Sequence, residues 1–286
     1  KNNNEMMFWL YSLGDIDIHI DYDWIFRKSC ENNNLEIVKW LYSISEWDLK
    51  IIGFNDIYDS ENVLCFCCRY GYLEIAKWIN STNTIDIHDK NEEAFCLACQ
   101  EGHFEVVKWL YSLGDVDIHN HNDWPFIYVC KGGYIDIAKW LYSLGGIDIH
   151  SNNNMAFWYS CVKEHIELAK WLYSLGDFDI HVQNDYMFYN SCIKDNLEMA
   201  QWLYSLGNID VQARNNIVFK SVCNKGLSTI VYWLCSICDN YDYIEEFGNI
   251  TPIIKNSIEY FIQNEQWTLL IQKANIIEDT TIQPEK

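Results

Sequence analysis

A regular spacing of 31 residues between similar side chains constrains the fold of this chain more than any other feature. Trp follows this spacing along most of the sequence, with one interval of 38 residues, at Trp9, Trp40, Trp78, Trp109, Trp140, Trp171, Trp202 and Trp233. Cys follows the same register, with the longer interval in the same place, at Cys30, Cys68, Cys99, Cys130, Cys161, Cys192 and Cys223. Such a period indicates repeated units that stack on one another.

Two further residue types share this register. Phe recurs, with Leu64 in the second place of the series, at Phe26, Phe95, Phe126, Phe157, Phe188 and Phe219. His recurs at another position of the unit, at His88, His119, His150 and His181. The longer interval places seven extra residues between Leu41 and Val63, and we expect them to lengthen the finger of the second unit.

The unit at residues 92–123 shows what one repeat contains. Residues 93–101 (EAFCLACQE) are mostly small and apolar and predict a short helix that a Gly-His pair ends. Residues 104–112 (FEVVKWLYS) have helical apolar periodicity and predict a second helix, which a Leu-Gly pair closes. Residues 115–119 then predict an extended finger that leads to a polar tip at residues 120–123.

Five of the predicted second helices carry an acidic residue three positions before a basic one. Such a pair stabilises an exposed helix by about 0.2–0.5 kcal/mol, and the acid also complements the helix dipole. We interpret them as helix stabilisers rather than as functional groups: Glu36/Lys39, Glu74/Lys77, Glu105/Lys108, Asp136/Lys139 and Glu167/Lys170.

Residues 101–119 (EGHFEVVKWLYSLGDVDIH) closely resemble the ankyrin repeat, with its Gly-His turn, amphipathic helix, capping Gly and Asp-Val-Asn-like strand. Residues 123–130 (DWPFIYVC) are similar to the Thr-Pro-Leu-His-Leu-Ala-Ala segment of that family, although only Pro125 is retained. The unit is shorter than the usual repeat of about 33 residues, and we expect short fingers. The resemblance implies an all-α fold, an ankyrin-repeat solenoid of helix–turn–helix units with short extended fingers. The recurring Trp-Leu-Tyr-Ser-Leu-Gly also resembles the ankyrin proteins of mimivirus-type giant viruses.

The register divides the chain into three parts. Residues 1–236 form the predicted array, a partial first unit followed by about seven units. Residues 237–274 are predicted to be capping helices, because the open end of a solenoid exposes its core. Residues 275–286 are predicted to be a flexible tail. The chain starts within a unit and without Met, as a fragment of a longer protein would.

The charge of the chain indicates which partners suit it. Lys and Arg number 20 against 41 Asp and Glu, which gives a net charge of -21. A surface this acidic repels phosphate backbones, so we expect no nucleic acid and instead a protein partner with a basic patch. No segment approaches the length of a membrane span or has the character of a signal peptide, so we expect neither membrane insertion nor secretion.

The 12 Cys residues are the one group that could suggest chemistry. Cys65 and Cys68, like Cys96 and Cys99, are spaced for metal and fall on neighbouring first helices, where four thiolates could meet one zinc ion. However, Cys68 and Cys99 belong to the repeating series, where Cys acts as a compact apolar side chain. We therefore predict buried thiols in a reducing compartment, the host cytoplasm or the virion, with no metal and no cofactor.

The His and Trp series have structural interpretations as well. Neighbouring His residues fall too far apart to share one metal ion, and we expect them to hydrogen-bond between neighbouring fingers. A row of His could also make binding sensitive to pH. The Trp residues, followed two positions later by Tyr in most units, are expected to form a packed stripe on the second helices. No nucleophile triad or phosphate-binding loop recurs, so we predict no catalysis.

The resemblance to ankyrin proteins implies that a partner contacts the finger tips and the exposed ends of the first helices, on the concave face. Residues at these positions vary from unit to unit, as in a binding surface or a merely solvated one. The candidate residues are Arg69, Tyr70, Asp89, Lys90, Gln100, Glu101, Asn120, His121, Asp123, Lys131, Asn152, Asn153, Lys163, Gln183, Asp185, Lys194, Arg214 and Lys225.

We therefore predict a monomeric, non-catalytic protein-binding scaffold, a viral adaptor for a host protein. The alternative is a structural or assembly component that self-associates through its repeats. A metal protein or enzyme would depend on the four cysteines between Cys65 and Cys99 alone.

Overall fold

A computed structural model describes residues 2–14, 17–18, 20–45, 47, 49 and 62–237 of the chain. The chain divides into two compact units, Lys1–Asp177 (unit 1) and Phe178–Lys286 (unit 2). The described residues of unit 1 form eleven helices: α1 (Asn2–Ser12), α2 (Ile20–Glu31), α3 (Leu35–Ile44), α4 (Val63–Arg69), α5 (Leu73–Ser81), α6 (Asp89–Glu101), α7 (Phe104–Ser112), α8 (Asn120–Gly132), α9 (Ile135–Ser143), α10 (Ser151–Val162) and α11 (Ile166–Leu175). Those of unit 2 form four more: α12 (Val182–Ile193), α13 (Leu197–Ser205), α14 (Ala213–Lys225) and α15 (Ser228–Ile237).

The predicted all-α ankyrin-type fold is confirmed. No residue in the described ranges is assigned to a strand, and the fingers between helix pairs have no regular structure at residues 115–117 and 146–148. The second helix of the unit used for prediction spans Phe104–Ser112, as expected. The predicted capping helices and tail, at residues 237–274 and 275–286, lie outside the described residues except for residue 237.

The helices of unit 1 alternate between two layers. The first helices of successive repeats pack side by side, α4 against α6, α6 against α8 and α8 against α10. Each first helix also packs against the second helix that follows it, as α6 does against α7. The sharp turn between them begins at Gly102, which ends α6 in the left-handed conformation, with φ 78°. A side chain at this position would also collide with the ring of Tyr134. Gly therefore suits this position for two reasons, its left-handed backbone and the nearby ring.

The Phe and Cys series form the core of each unit. Phe26, Phe95, Phe126 and Phe157 in unit 1 are at most 1% exposed, and Phe188 and Phe219 in unit 2 are equally buried. The Cys residues of the series lie beside them and are also buried. Burying one such aromatic side chain contributes about 1.5–3 kcal/mol, so the series accounts for much of the stability of each repeat.

The Trp series forms a packed stripe on the second helices, as predicted. In unit 1 the edge of a Tyr from one repeat contacts the Trp of the next, with ring centroids 5.2–5.7 Å apart, in the pairs Tyr11–Trp40, Tyr42–Trp78, Tyr111–Trp140 and Tyr142–Trp171. Tyr204 and Trp233 repeat the arrangement in unit 2. Edge-to-face pairs of this kind stabilise by about 0.5–1.5 kcal/mol beyond their buried area, so the stripe links repeat to repeat.

The seven-residue insertion lies largely outside the described residues, but two of its neighbours are described. Trp47 is 8% exposed and donates a hydrogen bond from Nε1 to the carbonyl of Leu41, at 2.8 Å. Its ring contacts the core residue Phe26, with centroids 4.9 Å apart. The lengthened connection therefore begins by adding an aromatic side chain to the core of unit 1. Within the described ranges, no helix combines the length and apolar character that a membrane crossing requires.

Candidate functional site

Four fingers of the described ranges lead into their first helix through three consecutive residues with left-handed backbone, which we call the left-handed segment. In unit 1 it spans residues 90–92, 121–123 and 152–154, with φ between 50° and 64°. In unit 2 it spans residues 183–185, with φ 55–59°. Most side chains disfavour this conformation, but Asn and Asp tolerate it best after Gly. Asn occupies the centre of all four segments, which explains why the sequence is Asn-rich at the tips.

A His side chain secures the last residue of each left-handed segment. Nδ1 of His119 lies 2.7 Å from Oδ1 of Asp123, and the same contact joins His88 to Glu92 at 2.8 Å. In unit 2, His181 and Asp185 repeat it at 2.6 Å. His150 pairs instead with the neutral amide of Asn154, at 2.8 Å. The His side chain thus bonds within its own finger, and the expected His bond to the neighbouring finger is wrong.

The carboxylate carries the link between fingers. The second oxygen of Asp123, Oδ2, accepts a hydrogen bond from the backbone N–H of Asp148 at 3.1 Å. Glu92 accepts one from the N–H of Asp117 at 3.4 Å. Asp123 and Glu92 are buried, 5% and 6% exposed. A buried carboxylate is tolerated when it is hydrogen-bonded, and Asp123 meets that need with one contact at each oxygen. Glu92 makes both of its contacts through Oε1, and its buried Oε2 has no hydrogen-bond partner among the described residues.

Hydrogen bonding also shifts the pKa of His88. The bond to Glu92 raises the pKa of the His88 imidazole above its ordinary value of 6.5, and the nearby charges of Glu92, Asp86 and Asp115 act in the same direction. Partial burial of the ring opposes them without reversing the shift. The His88–Glu92 pair is therefore a weak acid whose proton is held more tightly than in a free imidazole.

Two of the candidate binding residues are structural, which corrects the expectation that the whole tip is exposed. Asn120 is 8% exposed, and its side-chain amide donates to the carbonyl of Asn91 in the preceding finger. Asp123 is buried in the contacts described above. The sequence shows polar residues at both positions, but polarity does not reveal that a neighbouring finger satisfies them.

The remaining tip candidates differ in their accessibility. Asp89, Lys90, His121, Asn153 and Gln183 are exposed. Asn152 is half-buried and donates from Nδ2 to the carbonyl of Asn122 at 2.8 Å, and Asp185 is half-buried against His181. Arg214 lies in α14, and its side chain is outside the described part.

The first-helix ends contribute a second group of candidates. In unit 1, Tyr70 is 52% exposed and Glu101, Lys131 and Lys163 are exposed, whereas Arg69 and Gln100 are half-buried. In unit 2, Lys194 and Lys225 are exposed. Lys225 donates from Nζ to the carbonyl of Ile193 at 2.9 Å, so its charge already caps the end of a neighbouring first helix.

Half-exposed aromatic side chains, which the candidates predicted from sequence do not include, lie beside the ends of the first helices. On α8, the rings of Trp124 and Tyr128 lie 5.1 Å apart. On α10, Trp158 and Tyr159 are also 5.1 Å apart. Lys131 places its Nζ 5.3 Å from the centre of the Tyr159 ring and so bridges the two helices. A signal was available: none of these four residues belongs to the Trp, Cys, Phe or His series, and Tyr128 and Tyr159 lie one 31-residue repeat apart.

Charge is distributed unequally over the repeats. Exposed aspartates follow the fingers, where Asp86, Asp117 and Asp148 of unit 1 accept hydrogen bonds from the N–H of the His two residues later, at 2.9–3.0 Å. In contrast, the eighteen candidate binding residues include seven Lys and Arg and four Asp and Glu. The candidate residues thus carry a positive balance of charge, although the chain as a whole carries -21.

The cysteines between Cys65 and Cys99 are buried or half-buried, an environment that disfavours a reactive thiolate. Cys65, Cys68 and Cys99 are buried, and Sγ of Cys65 lies 3.4 Å from Oε2 of Glu93. Burial raises the pKa of Cys99, and burial followed by the charges of Glu92, Glu93 and Asp117 raises that of Cys96 to about 12. Thiols in this state stay protonated at neutral pH, whereas metal binding and nucleophilic attack need the thiolate. No set of three or more potential ligands converges on a metal-sized site in the described ranges.

Comparison with known proteins agrees with the repeat register. The family model described as ankyrin repeats (3 copies) matches three overlapping stretches, residues 26–122, 64–153 and 95–184. A comparison with curated protein sequences found no match. Ankyrin repeats are generally scaffolds for protein–protein interaction and are typically non-catalytic. Because the matched stretches together span residues 26–184, more than half of the 286 residues, the chain belongs to the ankyrin-repeat family.

Proposed function

We propose that the chain is a non-catalytic scaffold that binds another protein through its finger tips and first-helix ends. The observation that carries the proposal is the contrast within one helix. On α8, Phe126, Val129 and Cys130 are buried in the core, while Trp124, Tyr128 and Lys131 remain accessible. Aromatic side chains left half-exposed beside variable polar residues are typical of binding hot spots.

The surface of unit 1 that we assign to binding is defined by its accessible members and is called the recognition surface. It consists of Tyr70, Asp89, Lys90, Glu101, His121, Trp124, Tyr128, Lys131, Asn153, Tyr159 and Lys163. Asn120 and Asp123 are left out because they hold the fingers together. The corresponding candidates of unit 2, Gln183, Lys194 and Lys225, together with Arg214, are proposed as a second contact region.

Replacing exposed members of this surface tests the proposal. A partner is first captured from host cell extract with the wild-type chain, identified and purified. Its affinity is then compared for the triple variant K90A/H121A/K163A and for the control K77A/K139A/K170A, whose changes lie on second helices. Loss of a hot-spot contact costs about 2 kcal/mol or more, so we expect at least about tenfold weaker binding for the first variant only. Equal affinities for the two variants would overturn the assignment of the surface.

The net negative charge of the chain favours a partner with a basic patch, and we propose where that patch would make contact. Basic side chains would meet the exposed finger aspartates Asp86, Asp117 and Asp148 rather than the first-helix ends. Attraction of this kind acts at long range and mainly accelerates association. The association rate should therefore fall as salt is added, while K90A/H121A/K163A acts mainly on the dissociation rate.

A viral adaptor role is the more specific form of the proposal. The recurring Trp-Leu-Tyr-Ser-Leu-Gly resembles giant-virus ankyrin proteins, and the buried free cysteines suit a reducing compartment such as the host cytoplasm. Capture from an amoebal extract, compared with capture from a yeast extract, tests it. A partner recovered equally from both, with the same affinity, would count against a host-specific role.

Self-association is the second candidate, and one observation favours it. Met6 and Trp9 on α1 and Leu13 directly after it are 57%, 59% and 62% exposed, an apolar set that stacking of another copy could cover. Light scattering over a range of concentrations separates the two candidates. A mass that stays at 33.9 kDa excludes self-assembly, whereas a mass that rises with concentration and falls back in W9S supports it.

A further inference from the structure

The first helices α8 and α10 bring aromatic and cationic side chains together on the recognition surface. Trp124, Tyr128 and Lys131 follow one another at four and three residues on α8, a spacing that places them on one helical face. Tyr159 lies in the last turn of α10, and the backbone N–H of the C-cap residue Lys163 donates to its carbonyl at 2.8 Å. Nζ of Lys131 lies 5.3 Å from the Tyr159 ring, so the two helix ends meet. We call these five residues the aromatic–lysine patch.

The two lysines of the patch differ from those of the second helices. Lys77, Lys108 and Lys170 each pair with the Glu three positions earlier, at 2.6–3.5 Å. In the part of the chain that the structure describes, Lys131 and Lys163 have no carboxylate within 4 Å. Both are exposed. Two uncompensated positive charges therefore stand on the binding side of a chain whose net charge is -21.

We infer that the aromatic–lysine patch binds an acidic segment of the partner that also carries an apolar side chain. This inference rests on the proposed function and names the chemistry of the segment that it recognises. Carboxylates of the segment accept charge-assisted hydrogen bonds from Lys131 and Lys163. An apolar side chain of the segment packs against the exposed faces of Trp124 and Tyr128, where aromatic area is available at small cost in side-chain entropy.

The net negative charge does not prevent this binding, because charges act locally in solution. The screening length at physiological ionic strength is about 8 Å, so the closest charges dominate the field at the patch. A segment with a few carboxylates can therefore pair with Lys131 and Lys163 despite the net charge of -21.

A single-stranded nucleic acid is the main competing ligand, since it also binds aromatic residues interleaved with cations. It would bring a continuous row of phosphates close to the finger aspartates Asp117 and Asp148, which lie exposed in the same repeats. A peptide can instead place its carboxylates at two positions only. The charge pattern of unit 1 thus favours the acidic peptide.

The experiment uses peptides selected on the full chain. A random dodecapeptide library displayed on phage is panned against the wild-type protein, and the winners are synthesised as fluorescein conjugates. Their dissociation constants are measured by fluorescence anisotropy for the wild type, for K131E/K163E and for the control K139E/K170E, which changes the net charge by the same amount on second helices. Oligothymidylate of the same length serves as the nucleic-acid probe. Thermal unfolding establishes that both variants remain folded.

The proposal predicts winners that combine Asp or Glu with an apolar residue. We expect K131E/K163E to weaken their binding at least about tenfold and the control to change it less than about twofold. Winners that are neutral or basic, a library that shows no enrichment, or equal effects of the two variants would overturn the inference. So would oligothymidylate that binds more tightly than the winners and depends on the same lysines.

Failure of the inference and failure of the proposed function give different results. If the winners are basic but lose affinity in K90A/H121A/K163A, the recognition surface stands and only the acidic segment is wrong. If the winners are insensitive to both K90A/H121A/K163A and K131E/K163E, binding occurs elsewhere and both proposals fall.

Discussion

Lysines of unit 1 occupy two kinds of surroundings. On α5, α7 and α11, Lys77, Lys108 and Lys170 pair with the Glu three residues earlier. Lys131 at the end of α8 and Lys163, the C-cap residue of α10, have no described carboxylate within 4 Å, and Lys131 lies beside the Tyr159 ring. The paired lysines are thus engaged within their own helix, whereas the two unpaired ones remain available to a partner.

The largest effect that separates these roles concerns two neighbours on α8. Phe126 is fully buried, whereas Tyr128 is half-exposed. F126A should lower the free energy of unfolding by about 3–5 kcal/mol, because it removes a core ring and leaves a cavity. Y128A should lower it by less than about 1 kcal/mol. Urea unfolding measures both, and a Y128A loss as large as that of F126A would show that Tyr128 belongs to the core.

A smaller effect should separate two residues of one finger tip. D123A removes the buried carboxylate that bonds both His119 and the N–H of Asp148, and we expect a loss of about 1–3 kcal/mol in the free energy of unfolding. H121A changes an exposed neighbour and should stay within about 0.5 kcal/mol of the wild type. If D123A unfolds at the same urea concentration as the wild type, the link between fingers contributes nothing.

The His88–Glu92 pair should make stability depend on pH. Because Glu92 raises the pKa of His88, the folded state binds the proton more tightly than the unfolded state. The contribution of this pair to the free energy of unfolding is complete below the pKa of His88 in the unfolded state, about 6.5. It is lost as the pH rises through the pKa of His88 in the folded state. An NMR titration should give a His88 pKa above 6.5 in the wild type and a lower one in E92Q. Identical titration curves in the two proteins would exclude Glu92 as the cause.

The smallest expected effect compares a paired lysine with an unpaired one. K108A removes the exposed pair with Glu105 and the contact of Nζ with the Phe104 ring at 4.6 Å, and should lower the free energy of unfolding by about 0.7–1.5 kcal/mol. K131A should leave stability unchanged within error and should weaken the selected peptides instead. If K108A weakens peptide binding as much as K131A does, the paired and unpaired lysines do not differ in their role in binding.

Much of the fold could be predicted because it depends on short-range periodicity. The bounds of α7 and the burial of the Phe and Cys series follow from residues that recur at helical spacing within one unit. The tips could not be predicted in the same way. Burial of Asp123 depends on a backbone N–H 25 residues later, and no local pattern marks that partner.

The candidate site was predicted only in outline. Exposure of Lys90, His121 and Lys163 agrees with the expectation from the resemblance. The aromatic members Trp124 and Tyr128 were overlooked because an aromatic residue on a core helix is usually part of the core. Composition gives the sign of the total charge but not its position, so it does not indicate that Lys131 and Lys163 lack a described carboxylate within 4 Å.

The bond between fingers has a consequence for how such an array grows. Each link joins a carboxylate to the N–H 25 residues further along, as in Glu92–Asp117 and Asp123–Asp148. A repeat thus brings a donor for the finger before it and an acceptor for the finger after it. Duplication of a whole 31-residue repeat that carries both groups keeps these donors facing these acceptors. The array can therefore lengthen by one such repeat, and extend the surface offered to partners, without breaking these links.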